Sequence, residues 1–188
     1  MPSGMQVTEQ LDMTKCMNTS NKQRLLYITQ SGIIAAVYVV LTVFAKTVNL
    51  ADGAIQCRFS EALTVLPFFT KAAIPGVSLG CLLANLLIGG NPIDIVFGTL
   101  ATLLGCLGTY KLRRHKFLCT LPPVIANTLI VPFILRYAYG IEASIPFLML
   151  TVCIGEIIMC VGVGSLLISA LVPARWTVFK DNHEYKKI

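Results

Sequence analysis

The sequence predicts an all-α polytopic membrane protein: a bundle of six transmembrane helices with both termini in the cytoplasm. Three observations predict this fold. Of the 188 residues, 55% are hydrophobic and only 13% are charged, whereas an average soluble domain is about 25% charged. Six apolar segments follow one another, each close to the roughly 20 residues that cross a bilayer as a helix. Lysine and arginine collect in alternate connections between these segments.

The first two segments differ in how well their composition suits a membrane-spanning helix. The first, 25–45, is apolar over its whole length, and Gly32-x-x-x-Ala36 places small residues where another helix can pack closely. The second, 54–69, contains two charged residues and Pro67. We therefore expect a short or partly re-entrant helix there, with protein or water around its charges.

The other four segments are apolar enough to cross without special arrangements. They run over 72–88, 93–110, 117–135 and 145–172. Three of them carry small residues that permit close helix contact, namely Gly76, Gly80, Gly105, Gly108, Gly162 and Gly164. The predicted domain organisation is thus a polar cytoplasmic N-terminal segment, 1–24, a six-helix membrane domain, 25–174, and a basic cytoplasmic tail, 175–188.

Charge distribution sets the predicted orientation. One set of alternating connections holds 12 of the 15 lysines and arginines, and the other set holds Lys46, Arg58 and Arg136. Loops rich in these residues stay in the cytoplasm, so six crossings put both termini there. Contact with anionic lipid headgroups then accounts for the net charge of +6, and no nucleic-acid partner is expected.

Cysteine usage argues against disulfides and metals. The seven cysteines include no CxxC pair, and most lie in apolar runs, where cysteine behaves as a small hydrophobic residue. We expect no disulfide, no metal and no cofactor in this chain.

A few ionisable and amide residues within the apolar segments are the candidates for ligand binding, because such groups are costly in hydrocarbon and usually functional. On the predicted topology they gather from four segments in the outer half of the bundle. Glu156 lies deepest, with no basic residue near it in its own segment. The predicted substrate-binding residues are Gln56, Arg58, Glu61, Asn85, Asp94 and Glu156.

This one-sided arrangement favours a binding pocket open to the outside over an ion path through the whole membrane. Carboxylates accept hydrogen bonds from N–H groups, amides donate and accept, and arginine donates to a carbonyl. Such a mixture suits a planar, nitrogen-rich heterocycle with a guanine-like edge. Tyr38, Phe59 or Phe97 could supply a stacking face.

Structural explanations stay open for several of these residues. Arg58 and Glu61 could form an ion pair, since they are three residues apart on a possible helix. Asp94 could serve only the N-terminus of its helix, and Asn85 could serve only interhelical packing. Two further polar residues, Asn127 and Tyr139, rank as weaker candidates.

Four stretches in order carry a family resemblance: GAIQCRFSEALTVLP at 53–67, IPG at 74–76, GCLLAN at 80–85 and DIVFGTLA at 94–101. Together they resemble the QueT family, over roughly residues 25–172. Members of that family look like the substrate-binding S components of energy-coupling factor (ECF) transporters. The family is associated with uptake of queuosine precursors, which are 7-deazaguanines.

The resemblance implies partners in the plasma membrane of a prokaryote. S components dock on a membrane scaffold, the T component, and two ABC ATPases use ATP to drive the assembly. This sequence has no GxxxxGK[ST] phosphate loop, so we expect a transporter subunit without its own ATPase, not an enzyme. In related S components a small-residue face on the first helix contacts the scaffold. The corresponding docking residues here are Ser31, Gly32, Ala35 and Ala36.

Other functions fit less well. A metal-dependent lipid transferase needs further aspartates at helical spacing, and the sequence has none between Asp94 and its tail. An intramembrane serine protease needs a histidine within the membrane, whereas His115 and His183 lie in predicted cytoplasmic segments. A stand-alone secondary carrier, or an S component for another vitamin or purine-like ligand, remains the alternative.

Overall fold

The computed structural model describes residues 3–48 and 58–178, with side chains over 21–48 and 58–173. Every regular element in these ranges is helical. The α-helices are α1 (Ser3–Thr47), α2 (Ala73–Leu87), α3 (Pro92–Lys111), α4 (Leu121–Tyr137), α5 (Ile145–Glu156) and α6 (Gly164–Val178). Two 3₁₀-helices, Phe59–Phe68 and Leu118–Thr120, and a π-helix, Ile157–Val163, complete the described fold.

Four of the described helical segments are long and apolar enough to cross a membrane. They are Asn21–Thr47, Pro92–Lys111, Leu118–Tyr137 and Ile145–Pro173. The last of these joins α5, the π-helix and α6 without a break. The all-α membrane fold is therefore confirmed, while the second and third predicted crossings correspond to shorter apolar helices, Phe59–Phe68 and Ala73–Leu87.

The short second segment lies at the centre of the bundle. The 3₁₀-helix Phe59–Phe68 packs against α1, α2, α3, α6 and the π-helix, and each of its residues from Ser60 to Phe68 is buried. At about 2.0 Å per residue its 10 residues extend about 20 Å, well short of the roughly 30 Å of a hydrocarbon core. Surrounding helices thus shield this charged segment from lipid, as expected from Glu61 within it.

The first and third segments pack closely because α2 has glycine where α1 approaches. A Cβ added at Gly80 would lie 2.7 Å from Tyr38 Cβ, and one added at Gly76 would lie 2.8 Å from the Ser31 carbonyl oxygen. The Ser31 hydroxyl also donates to the Ala72 carbonyl at 2.9 Å. Contacts this close leave no room for a side chain on α2 at either glycine.

These contacts divide the predicted docking residues into two pairs. Ser31 and Ala35 are each 8% exposed and lie in the internal contact with α2. Gly32 and Ala36 are exposed, and a Cβ at Gly32 would meet nothing within 4 Å. Ser31 and Ala35 therefore lie in the packing contact with α2, whereas Gly32 and Ala36 lie on the exposed side of α1.

The outside of the bundle is strongly apolar. Large hydrophobic residues that are more than half exposed occur on all six α-helices; they include Ile28, Ile33, Val40, Leu87, Val96, Ile125, Leu150 and Leu166. A water-soluble protein seldom exposes apolar surface this extensive. Lipid contact is the environment that suits it.

Candidate functional site

A buried carboxylate, Glu61, stands at the start of the central 3₁₀-helix and is held by other helices. Tyr38 of α1 donates its hydroxyl to Glu61 Oε1 at 2.8 Å, and the Asn127 amide of α4 donates to Oε2 at 3.2 Å. The side chains of Tyr38, Glu61 and Asn127 are 1%, 2% and 3% exposed. Both carboxylate oxygens therefore have a donor, as a charged group removed from water requires.

A second carboxylate, Glu156, joins the first through the same amide. Asn127 Nδ2 donates to Glu156 Oε1 at 2.9 Å, and the Cys160 thiol donates to Oε2 at 3.2 Å. Because a carboxylate can only accept when ionised, the amide nitrogen has to face both acidic groups. One asparagine thus fixes the spacing of two acidic side chains that lie 95 positions apart in the sequence.

The backbone around Glu156 is not an ordinary α-helix. Glu156 ends α5, and the π-helix begins at the next residue. Cys160 lies in that π-helix, and its sulfur also lies 3.5 Å from the Glu61 main-chain carbonyl oxygen. Widened π turns occur often at functional sites, and here the turn brings Cys160 to both Glu156 and the central 3₁₀-helix.

Both acidic groups and Asn127 line a small cavity of about 10 Å³, room for about one water molecule. Charged and amide side chains form one part of its wall, and small or apolar residues form the rest. The lining residues are Arg58, Glu61, Gly98, Thr102, Asn127, Val131, Val152 and Glu156.

Arg58 connects the cavity to a second polar group. Its guanidinium lies 3.9 Å from Asp94 Oδ2, and Tyr139 donates its hydroxyl to the same oxygen at 2.8 Å. Burial, aided by the hydrogen bond to Asp94, raises the pKa of Tyr139, which keeps the phenol a donor. The ion pair recorded in the described residues is thus between Arg58 and Asp94, instead of the Arg58–Glu61 pair considered from sequence spacing.

Asn85 and Asp94 adjoin the cavity at Gly98. A Cβ added there would lie 2.9 Å from Asp94 Oδ1 and 3.4 Å from Asn85 Nδ2, so a residue larger than glycine would press on both. Asn85 is 2% exposed, and its amide approaches Cys81 Sγ at 3.7 Å. Helix-start and packing roles for these two residues are compatible with this position beside the cavity.

Of the six predicted binding residues, the structure brings five into this one region. Arg58, Glu61 and Glu156 line the cavity, and Asn85 and Asp94 lie beside it. Gln56 lies outside the described residues. Among the proposed stacking rings, Tyr38 uses its hydroxyl on Glu61, whereas Phe97 is 49% exposed.

Asn127, a weaker candidate from the sequence, lines the cavity in the structure. Its signal was present, because an amide within an apolar segment is costly unless it has partners. Its two partners lie 66 and 29 positions away, and nothing in the local sequence indicates them.

Comparison with known proteins identifies the family. Residues 28–173 match the sequence pattern described as QueT transporter. This chain belongs to the QueT transporter family. The match covers the bundle from α1 through most of α6, including every described residue of the polar site.

A curated relative gives the QueT family assignment a second support. The queuosine precursor transporter QueT of Lactococcus lactis subsp. cremoris (strain MG1363) is 36% identical to this QueT family member over 96 residues. The alignment covers 50% of this chain and 56% of the relative, so the chain spans about half the length of the curated relative it matches. No solved structure matches this chain.

Proposed function

We propose that this protein is the substrate-binding S component of an ECF-type importer and captures a queuosine precursor, either a 7-deazaguanine derivative or queuine, from outside the cell. The observation that carries the proposal is the pair of buried carboxylates, Glu61 and Glu156, joined by Asn127 beside a cavity that also contains Arg58. The relative's name, queuosine precursor transporter, supports the ligand class.

The chemistry of the cavity fits such a ligand. A 7-deazaguanine presents two adjacent N–H donors and one carbonyl acceptor on its ring edge. Glu61 and Glu156 are acceptors, and Arg58 is a donor that can meet the carbonyl. Each hydrogen bond to a charged partner contributes about 1.5–3 kcal/mol.

Asp94 is the proposed partner for a cationic substituent, if the precursor carries an aminomethyl group. An ammonium leaving water needs a countercharge. Arg58 already lies 3.9 Å from Asp94, so an ammonium would share this carboxylate with the guanidinium or displace it.

In the membrane, we place six crossings with both termini in the cytoplasm of a prokaryotic cell. The 12 to 3 division of lysines and arginines supports this orientation. The two shorter helices, Phe59–Phe68 and Ala73–Leu87, would be accommodated within the bundle, which buries the first of them almost completely.

Transport would depend on partners: a T component and two ABC ATPases that consume ATP, with this subunit toppling in the bilayer to release its ligand. The missing phosphate loop supports an external energy source. Gly32 and Ala36 supply an exposed small-residue patch on α1, where a scaffold helix can approach closely.

The test is a calorimetric binding screen of the purified full-length protein. It should cover 7-deazaguanine derivatives, queuine, guanine and unrelated vitamins. We expect saturable binding of at least one deazapurine, with weaker binding of guanine and none of the vitamins. Absence of binding by every deazapurine would remove the substrate assignment.

Partner dependence is tested separately in proteoliposomes. The protein alone should bind its ligand without concentrating it, and uptake should require the scaffold, the ATPases and ATP. Ligand accumulation by the protein alone would favour a stand-alone secondary carrier instead.

A further inference from the structure

We infer that Asn127 is a positioning residue that sets ligand choice, because it holds Glu61 and Glu156 as a fixed pair of acceptors for a ring edge with two adjacent N–H donors. This inference rests on the proposed function for the class of ligand. It adds the residue that discriminates among ligands of that class, and the ring edge by which the ligands are discriminated.

The geometry leaves Asn127 as the shared element between the two acidic groups. Its amide nitrogen donates to Glu61 Oε2 at 3.2 Å and to Glu156 Oε1 at 2.9 Å. An amide has two N–H donors, and each is used once. Among the described residues no other side chain donates to both carboxyl groups, so without this bridge their relative placement loses its shared contact.

The remaining oxygens are held from outside the pair. Tyr38 donates to Glu61 Oε1 at 2.8 Å, and the Cys160 thiol donates to Glu156 Oε2 at 3.2 Å. Each carboxylate therefore has one side-chain donor of its own, and the two carboxylates share the amide of Asn127. Removing the amide would leave each carboxylate with one side-chain donor among the described residues, so the carboxylate could rotate about its own side-chain bonds.

Acceptor capacity remains for a ligand. A carboxylate has about four lone-pair positions, and the structure uses two on Glu61 and two on Glu156. Both residues and Asn127 line the cavity. A ring with two neighbouring N–H donors can thus donate to both acidic groups, whereas a ring with one such donor can donate to only one of them.

The experiment compares two ligands that differ only in the second donor. 7-Deazaguanine carries the ring N1–H and the 2-amino group, whereas 7-deazahypoxanthine lacks the amino group. Calorimetry on the full-length wild type should give at least about tenfold tighter binding of 7-deazaguanine, the factor expected for one charge-assisted hydrogen bond. In Asn127→Ala this ratio should fall toward one.

Two further variants separate positioning from folding. Asn127→Ser keeps a single donor and a compact polar side chain, and its ratio should also fall. The control is Thr128→Val, next to Asn127 on α4, since the Thr128 hydroxyl is buried without a hydrogen-bond partner among the described residues. This control should keep the wild-type ratio.

The outcomes distinguish the two claims. If no deazapurine of the binding screen binds the wild type, the proposed function fails; if other deazapurines bind but the wild type does not prefer 7-deazaguanine to 7-deazahypoxanthine, the inference fails alone. If the wild type prefers 7-deazaguanine but both Asn127 variants keep that preference within about twofold, the inference fails alone. Weaker binding of both ligands by the same factor would likewise assign Asn127 a purely structural role and overturn the inference.

Discussion

At the scale of single residues, the acidic groups are held in the bundle by donors from several helices. Besides the contacts of its carboxylate, the main-chain carbonyl of Glu61 accepts a hydrogen bond from the Thr64 hydroxyl at 2.6 Å. A buried polar network stabilises a fold only when its members are satisfied. Loss of one donor should therefore lower the free energy of unfolding more here than at the protein surface.

Tyr38 provides a direct test of that statement. Tyr38→Phe removes the hydroxyl that donates to Glu61 Oε1 and keeps the buried ring. We expect a loss of about 1.5–3 kcal/mol in unfolding free energy, the usual range for a hydrogen bond to a charged group. Thermal unfolding of the purified protein in detergent would measure it.

Tyr27→Phe is the matched control on the same helix. The Tyr27 hydroxyl reaches the Lys71 carbonyl only at 3.5 Å, and its side chain is 44% exposed. We expect its melting temperature to stay close to that of the wild type. Equal losses in the two variants would contradict a special role for the buried contact.

At this scale the sequence predicts which side chains are costly to place in a membrane. It does not predict which of these side chains contact one another. Glu61 and Glu156 were identified because each is a charge in an apolar segment. Sequence spacing suggests Glu61, three positions away, as the partner of Arg58, yet in the structure the Arg58 guanidinium lies 3.9 Å from Asp94. Pairing depends on how the helices pack, and local spacing does not contain that information.

At the scale of elements, six apolar segments were predictable because hydrophobic length is a property of the sequence itself. The weakness of the second segment also followed from its charges and Pro67. Its 3₁₀ geometry and the π-helix after Glu156 did not follow, since both depend on packing around the central segment. The elements around the site are therefore those whose helical geometry the sequence did not predict.

The contact between α1 and α2 yields an element-scale prediction. Gly80→Ala would place a methyl group 2.7 Å from Tyr38 Cβ and 3.0 Å from the Ala35 carbonyl oxygen. We expect destabilisation of about 1–3 kcal/mol, typical of overpacking. Ligand affinity should fall as well, because the displaced Tyr38 also holds Glu61.

Gly32→Ala is the control for this substitution. It makes the same chemical change within a helix but meets nothing within 4 Å. Alanine is better than glycine in a helix interior, so we expect stability equal to the wild type or up to about 1 kcal/mol higher. Thermal unfolding and ligand binding should be measured on both variants. If Gly80→Ala is as stable as the wild type, the close contact between α1 and α2 is refuted.

At the scale of the whole molecule, charge asymmetry predicts how the bundle sits in the membrane. A green fluorescent protein fused after Ile188 should fluoresce in the cytoplasm, whereas alkaline phosphatase at the same position should be inactive. An active phosphatase fusion would place the C-terminus outside the cytoplasm and contradict the predicted orientation.

The cavity of about 10 Å³ has a consequence for the kinetics of capture. If the proposed bicyclic ligand binds at this cavity, the helices have to separate before or during binding, because such a ring cannot fit in the volume of one water molecule. If only a fraction of molecules is open at any moment, the measured dissociation constant exceeds the intrinsic constant by the inverse of that fraction. Substitutions that favour the open form could then tighten binding without touching the ligand.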